Sequence, residues 1–150
     1  MGETIPKKVV IGGTFDVLHR GHEAFLKKAF SLGKVTIGLT SNKMAEKIKR
    51  RKVNDFKSRK RELKKFLKKN FLKSAKIIKI EDKFGPTLSE DFNYIVVSPE
   101  TYKTALLINQ KRQKAGKKPI KIIKINFVLD KDGKPFSATT ELSKARRSGR

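Results

Sequence analysis

Both histidines of this chain lie close together, at His19 and His22, in the stretch GGTFDVLHRGH. Three glycines share that stretch: Gly12 and Gly13 open it, and Gly21 stands between the histidines. Glycines let a backbone approach a phosphate closely, and imidazoles at the start of a helix can donate hydrogen bonds to charge that develops on a phosphoryl group. These residue types at this spacing predict a site that handles phosphate.

The elements around this stretch must place it at a ligand-binding edge. Lys7 to Ile11 predicts a buried strand, and His22 to Leu32 has the apolar spacing of a helix that ends at Gly33. Val35 to Leu39 predicts a second strand. A strand, a glycine-rich loop, a helix and a strand in this order are typical of a right-handed βαβ unit. Ligands of such units bind beyond the carboxyl ends of the strands.

The rest of the chain continues this alternation. Further strands are predicted over Ala75 to Ile80, Asn93 to Val97 and Ile120 to Val128. Helices are predicted over Leu63 to Phe71, from Ser98-Pro99-Glu100 to about Ala115, and over Thr139 to Arg147. A basic stretch from Lys43 to Lys60 has no clear period, and a turn is predicted from Asp130 to Pro135. The pattern predicts one α/β domain over residues 1–150, with a Rossmann-like, doubly wound sheet of about five parallel strands.

Composition limits the classes of protein. The chain has 38 Lys and Arg against 14 Asp and Glu, a formal net charge of +24, which attracts polyanions. It has no cysteine, so disulfides and thiolate metal sites are excluded. No apolar run approaches the ~20 residues of a membrane span, and the N-terminus lacks the apolar region of a signal peptide. We therefore expect a cytoplasmic protein with no membrane partner.

Two segments resemble a known family. GTFD followed by HRGH, from Gly13 to His22, resembles the paired signature of the HxGH nucleotidyltransferases, which join a nucleotide to a phosphate-bearing acceptor and release pyrophosphate. VVSPETYKTALLINQKRQKAGKKP, from Val96 to Pro119, is similar to the adenine-side segment of archaeal and eukaryotic-type phosphopantetheine adenylyltransferases, and GLTSNKM fits the same group. The resemblance covers essentially the whole chain. It implies adenylyl transfer from ATP to 4′-phosphopantetheine, giving dephospho-coenzyme A and pyrophosphate, a step of coenzyme A biosynthesis.

The resemblance also implies roles for single residues. His22 matches the principal transition-state donor, His19 a triphosphate contact, and Thr14 the threonine that bridges the acceptor phosphate and the α-phosphate. Lys43 lies where the family has an acceptor-binding lysine, although several nearby lysines could substitute. The other implied substrate-binding residues are Gly12, Gly13, Phe15, Gly21, Arg59, Ser98, Asn109, Arg112, Ser137, Thr139 and Thr140.

Some of these residues have a plain structural alternative. Arg59 matches a basic residue of related cytidylyltransferases, and Asn109 and Arg112 match the asparagine and arginine of the adenine-side helix. Like Lys43, all three could instead belong to a solvated helix surface. Asp16 could simply cap its turn.

The implied chemistry needs alignment and charge stabilisation. The acceptor is a phosphate monoester with a second pKa of about 6, so it is already a nucleophilic dianion near neutral pH. In-line transfer at the α-phosphorus then requires no general base. No carboxylate pair or histidine–carboxylate set indicates a metal held by the protein, so Mg²⁺ is expected to arrive with ATP, held mainly by phosphate oxygens.

The C-terminal stretch PFSATTELSKARRSGR departs from this family. Relatives usually carry Ile-Ser-Ser-Thr, or a third serine, and a basic residue three positions on. One register gives the hydroxyl positions to Ser137 and Thr139 and the basic position to Leu142; the other uses Thr139, Thr140 and Ser143. The expected base is missing from both. We expect a helix start that holds the β- and γ-phosphates of ATP, with helix capping as the alternative. The basic residues that could supply the charge are Lys144, Arg146 and Arg147.

Two other kinds of function stay open. The same chemistry could use another acceptor, as in a cytidylyltransferase or an adenylyltransferase of nicotinamide or flavin mononucleotide, although the segment from Val96 to Pro119 argues against these. A basic nucleic-acid-binding module would place exposed aromatics among its basic residues. Here most Phe lie at core-facing spacings and there is no Trp, so any nucleic-acid binding should be non-specific. The sequence does not indicate an oligomeric state.

Overall fold

The structure is a computed structural model that describes residues 6–18, 20–50, 52–125, 127–129 and 135–137, the last two ranges as backbone only. His19, Thr139 and Thr140 lie outside these residues, as do the predicted C-terminal helix and nearly all of the predicted turn before Pro135.

Within the described residues, strands and helices alternate as the sequence predicts. The main sheet contains β1 (Lys8–Gly13), β2 (Lys34–Thr40), β3 (Lys76–Ile80), β4 (Tyr94–Val97) and β5 (Lys121–Lys124). The helices are α1 (Arg20–Leu32), α2 (Asn42–Lys49), α3 (Phe56–Phe71) and α4 (Tyr102–Lys114), with a 3₁₀ helix at Gly85–Leu88. Two short strands, β6 (Phe127–Leu129) and β7 (Pro135–Ser137), pair antiparallel in a separate sheet.

The strand order of the main sheet is β3-β2-β1-β4-β5, and every neighbouring pair is parallel. From β1 the chain builds outward to β2 and β3, and then returns to place β4 on the other side of β1. Right-handed crossovers in these two directions put α1 and α3 on one face and α4 on the other. The predicted doubly wound α/β sheet is confirmed, and its strand order reverses between β1 and β4.

Two apolar cores cover the two faces of the sheet. Val9 and Ile11 of β1 pack in one core with Leu63 of α3, whereas Val10 packs in the other with Ile108 of α4. Successive residues of a strand point to opposite faces, so a strand covered on both sides is apolar throughout. This explains why Val9 to Ile11 is a continuous apolar run.

The segment before α3 differs from the sequence prediction. A helix, α2, lies in the basic stretch for which none was predicted, and it begins where the Ser41 hydroxyl accepts from the backbone N–H of Met44 at 3.1 Å. Its apolar residues are Met44, Ala45 and Ile48, a face too short to stand out in a stretch so rich in lysine and arginine. Helix α3 begins at Phe56, well before the predicted Leu63, because Asp55 caps its first turn.

Two further boundaries were wrong. The single strand predicted to Val128 is divided, because β5 ends at Lys124 and the next strand pairs with β7 instead of the main sheet. Helix α4 begins at Tyr102 and not at Pro99, because a turn comes first, closed by the hydrogen bond from the N–H of Thr101 to the carbonyl of Ser98 at 3.1 Å.

Candidate active site

A cavity of about 530 Å³ opens at the carboxyl ends of β1 and β4, where the strand order reverses. Its walls come from the loop after β1, the start of α1, the ends of β2, β3 and β4, and the first half of α4. Sheets of this type bind ligands at this position. The predicted site residues that line the cavity are Gly12, Gly13, Thr14, Phe15, His22 and Ser98.

Phe15 fixes the geometry of the first loop. Its φ is +46°, in the left-handed region that residues other than glycine seldom adopt. The turn lays its ring over Gly13, where a Cβ would stand 2.8 Å from the ring atom Cε2. The same ring lies 5.2 Å from the His22 ring, centroid to centroid, at an angle of 48°. A strained, buried phenylalanine thus positions the imidazole at the cavity wall.

Thr14 is held from behind by a buried network. The hydroxyl of Thr40 donates to the Thr14 hydroxyl at 3.0 Å. Arg59 Nη1 donates to the Thr14 carbonyl at 3.1 Å and to Thr40 Oγ1 at 3.3 Å. The other guanidinium nitrogens donate to the Asn54 carbonyl at 2.6 Å and to Asn42 Oδ1 at 3.3 Å. This network joins the loop after β1, the end of β2 and the start of α3.

These contacts correct the prediction that Arg59 binds substrate directly. The residue is 1% exposed and is absent from the described wall of the cavity. Burial lowers the pKa of Arg59, whereas the carboxylates of Asp16 and Asp55 raise it. A guanidinium nevertheless keeps its proton throughout the physiological range. Arg59 is therefore a buried cation that holds the wall of the site.

Asp16 and Asp55 have separate structural tasks near this arginine. Asp16 Oδ1 accepts from the backbone N–H of Asn54 at 2.8 Å, so it joins two segments as well as lining the cavity, and is more than a cap of its own turn. Asp55 caps α3 by accepting from Ser58 at 3.0 Å. Hydrogen bonds from Ser58 hold the pKa of the exposed Asp55 carboxyl below its ordinary value of 3.8.

Lys43 and Gly21 are not part of the described cavity wall. Lys43 is exposed on the first turn of α2, and Gly21 is buried in the first turn of α1. The lysines that line the cavity are Lys49, at the end of α2, and Lys83, shortly after β3. Sequence reasoning missed both because lysine is common throughout this chain. The position of Lys83 just past a strand end is the signal that could have found it.

Asn109 is also placed away from the cavity. Its Nδ2 donates to the carbonyl of Ile120 at 2.8 Å, and its Oδ1 accepts from the N–H of the same residue at 2.8 Å. Both ends of the amide are therefore used to join α4 to the chain just before β5. These hydrogen bonds do not support the prediction that Asn109 contacts substrate.

Arg112 also uses its side chain to join segments of the fold. The residue is 1% exposed, and all of its guanidinium nitrogens donate to neighbouring chain segments. Its acceptors are the carbonyls of Lys118 (2.7 Å), Thr87 (2.7 Å) and Glu90 (3.1 Å), and Oδ1 of Asp91 (2.6 Å). The hydrogen bond from Arg112 lowers the pKa of the Asp91 carboxyl below its usual 3.8. This guanidinium is occupied by its own fold, so these hydrogen bonds do not support the substrate contact predicted for Arg112.

Hydroxyl side chains complete the polar part of the cavity. Ser98 follows β4, and its backbone N–H donates to Thr101 Oγ1 at 3.2 Å. Thr40, Thr101 and Thr104 line the same cavity and were not predicted. Imidazole, hydroxyl and lysine donors suit charge stabilisation on phosphate oxygens. Ser137, the last residue of β7, is described only as backbone.

No helix among the described residues is long and apolar enough to cross a membrane. These residues also contain no group of three or more His, Cys, Asp or Glu side chains that could hold a metal ion.

Comparison with known proteins agrees with this geometry. The cytidylyltransferase-like family model matches residues 10–142. The chain is 44% identical over 137 residues to the phosphopantetheine adenylyltransferase of Methanosarcina mazei, covering 88% of each. It is also 44% identical over 134 residues to that of Archaeoglobus fulgidus, covering 88% of this chain and 90% of the relative.

A solved structure shows the same likeness. The crystal structure of a protein of unknown function from Archaeoglobus fulgidus matches with a TM-score of 0.75 and 44% identity, over 79% of this chain and 88% of that one. The resemblance inferred from the GTFD and HRGH segments is confirmed. This chain belongs to the cytidylyltransferase-like nucleotidyltransferases and, among them, to the phosphopantetheine adenylyltransferase family.

Proposed function

We propose that this protein transfers the adenylyl group of ATP to 4′-phosphopantetheine in the cytoplasm, giving dephospho-coenzyme A and pyrophosphate. One observation carries the proposal: Thr14 and His22 line a cavity at the strand-order reversal of a chain that is 44% identical to proteins named for this activity. The small-molecule cavity also favours this reaction over nucleic-acid binding, which would use an extended surface.

The reaction is an in-line displacement. An oxygen of the acceptor phosphate forms a bond to the α-phosphorus of ATP as the bond to the pyrophosphate oxygen breaks. The acceptor is a dianion near neutral pH, so no proton has to be removed. Thr14 and His22 donate to oxygens on which charge develops, and Lys49 and Lys83 draw the anionic substrates into the cavity.

The wall formed by α2, the end of β3 and the 3₁₀ helix combines apolar and basic side chains. The apolar ones are Met44, Ile48, Ile80, Phe84 and Pro86, and the basic ones are Lys49 and Lys83. An acceptor with a phosphate and a long arm suits a cavity that offers both donors and apolar contacts.

The remaining predicted contacts stay proposals. We propose His19 as a triphosphate contact, and Thr139 and Thr140 as the holders of the β- and γ-phosphates. Mg²⁺ is proposed to enter with ATP, because a hard cation that keeps its waters binds phosphate oxygens readily.

The test is a substrate panel. The protein is incubated with each nucleoside triphosphate and with 4′-phosphopantetheine, nicotinamide mononucleotide or flavin mononucleotide, and pyrophosphate is measured. ATP with 4′-phosphopantetheine should react fastest, with dephospho-coenzyme A identified by mass. His22→Ala should lower kcat by roughly 10²–10³, as expected for one preorganised donor. Faster turnover with CTP or another acceptor would replace this proposal.

A further inference from the structure

Arg59, Thr40 and Thr14 form a line of hydrogen-bonding groups that ends at the cavity. Arg59 Nη1 lies 3.3 Å from Thr40 Oγ1, which lies 3.0 Å from Thr14 Oγ1. Their exposed fractions rise along the line, from 1% to 3% to 8%. Thr40 and Thr14 line the cavity, whereas Arg59 stands behind them.

The donors and acceptors of these groups determine the direction of each hydrogen bond in the line. Arginine has donors and no acceptor, so Thr40 Oγ1 must accept from Arg59. Among the described residues the Thr40 hydroxyl has one acceptor within hydrogen-bonding distance, Thr14 Oγ1 at 3.0 Å, so its proton is directed there. A hydroxyl has one proton and two acceptor positions, so the proton of Thr14 is the one left for the cavity side.

Direction matters because a hydroxyl can present either its proton or a lone pair. Phosphate oxygens are anionic acceptors, and only the first orientation attracts them. Hydrogen bonds in a chain also polarise one another at low dielectric, and all three groups here are buried. The acceptors of Arg59 in this network are neutral: two carbonyls, one hydroxyl and one amide oxygen.

We propose that Arg59 is a positioning residue that acts through Thr40 to make the Thr14 hydroxyl a hydrogen-bond donor toward substrate phosphate. This inference rests on the proposed function in that the phosphate belongs to ATP or to its acceptor. Arg59 itself touches neither. Its Nη1 also holds the Thr14 carbonyl at 3.1 Å, so one nitrogen fixes both the backbone and the hydroxyl direction of that residue.

The first test removes the hydroxyl of Thr40, the middle member of the relay formed by Arg59, Thr40 and Thr14. Thr40→Val keeps the shape of the side chain and deletes its hydroxyl, so Thr14 loses the bond that orients it. We expect kcat/KM for pyrophosphate release to fall roughly 10-fold, the effect of losing one hydrogen bond to a charged group. Thr40→Ser restores a hydroxyl and should recover most of that loss. The matched control is Thr36→Val, a buried threonine on the same strand and outside the cavity wall, which should keep the original kcat/KM.

A double-mutant cycle separates the relay from a purely structural role. If Thr40 acts through the Thr14 hydroxyl, Thr40→Val should have little further effect in a Thr14→Val background. Fully additive losses would overturn the relay, whatever the melting temperatures show. An unchanged kcat/KM in Thr40→Val would overturn it as well.

The same cycle is repeated by calorimetric titration with ATP alone, which needs no acceptor. Non-additive loss of ATP affinity in Thr40→Val and Thr14→Val would support the relay even if ATP released no pyrophosphate in the presence of 4′-phosphopantetheine. That absence of reaction would overturn only the proposed function. Active protein with additive losses would overturn only the relay. Failure of the unmodified protein to bind ATP would overturn both.

Discussion

Arg59 and Arg112 are equally buried and make similar contacts, but they differ in their place in the fold and in the charge of their acceptors. Each is 1% exposed, each is on a helix that covers the sheet, and each gives its donors to carbonyls of other segments. Arg59 lies behind the cavity wall and bonds neutral acceptors. Arg112 lies on the opposite face of the sheet and also holds the carboxylate of Asp91 at 2.6 Å.

A buried guanidinium contributes differently behind the cavity wall, at Arg59, and on the opposite face of the sheet, at Arg112. Several donors in a rigid fork can satisfy several carbonyls where chain segments meet, and a lysine cannot reproduce that geometry. Around Arg112 one of the segments is the 3₁₀ helix, which lines the cavity through Thr87 but holds neither Thr14 nor His22, so loss of Arg112 should affect mainly stability. Around Arg59 one of those segments is the loop that contains Thr14, so its loss should affect both stability and catalysis.

The largest expected effect is on stability. Arg112→Met leaves the carbonyls of Thr87, Glu90 and Lys118 without their donor, and unpaired buried groups cost about 1–3 kcal/mol each. We expect the free energy of unfolding to fall by about 3 kcal/mol or more, measured in urea. The kcat/KM of the molecules that remain folded should be unchanged. A selective rise in the KM for ATP would restore the substrate-contact interpretation of Arg112.

The second prediction tests the other half of the comparison. Arg59→Met removes the donors of Thr14 and Thr40, so we expect kcat/KM to fall roughly 10- to 100-fold in addition to a loss of stability. Activity is assayed at a temperature at which circular dichroism shows both methionine variants to be folded. Equal activity of the two variants would show that the two arginines are equivalent, and the comparison would fail.

Asn109 gives a smaller and cleaner test. Asn109→Ala removes two hydrogen bonds to Ile120, and the free energy of unfolding should fall by about 1–3 kcal/mol. The KM for ATP should stay at its original value, because the amide lies away from the cavity. A raised KM for ATP with unchanged stability would contradict the structure and favour an adenine contact.

The smallest expected effect is on the stability of the protein at low pH. The pKa of Asp91 is lowered in the folded state by Arg112, so the unfolded chain binds its proton more readily as the pH falls. Stabilisation by this carboxylate is therefore complete above its unfolded pKa, near 3.8, and is lost as the pH falls through the lower folded value.

The Asp91→Asn substitution tests this pH dependence. The melting temperature of the original protein should slightly exceed that of the variant at neutral pH, and the gap should close only in strong acid. The corresponding gap for Glu90→Gln serves as a control, since the Glu90 carboxylate pairs with Lys8 and only its backbone carbonyl, which the substitution keeps, accepts from Arg112. A gap for Asp91→Asn that persisted at the lowest pH would point to an effect other than the ionised carboxylate.

The same two arginines show where the sequence could not predict the structure. In α3, Arg59 occupies the buried stripe with Leu63 and Leu67, and in α4, Arg112 follows Ala105 and Ile108 in the same way. A pattern that counts arginine as a surface residue loses these positions, and for that reason α3 was predicted too short. Burial here depends on carbonyls supplied by distant segments, which no local pattern contains.

The fold and the first loop were predictable for physical reasons. Buried parallel strands are short apolar runs, and their alternation with amphipathic helices admits few arrangements. Histidine occurs only twice in this chain, so the appearance of both His19 and His22 in one glycine-containing stretch is informative. Lysine is so frequent that its type cannot single out Lys49 or Lys83, and only the folded strand ends do so.

The strand order also affects how the cavity forms during synthesis. β1 pairs with β2 early, but its other edge is paired only after β4 has been synthesised. Just before β4, the side chain of Asn93 accepts from the backbone N–H of Lys8 at 2.7 Å, across 85 residues of chain. Until that segment leaves the ribosome, the nascent sheet presents the open edge of β1, and open edges invite pairing with other chains. Ser98 reaches the cavity only with β4. A chain halted before β4 would therefore be both inactive and prone to aggregate.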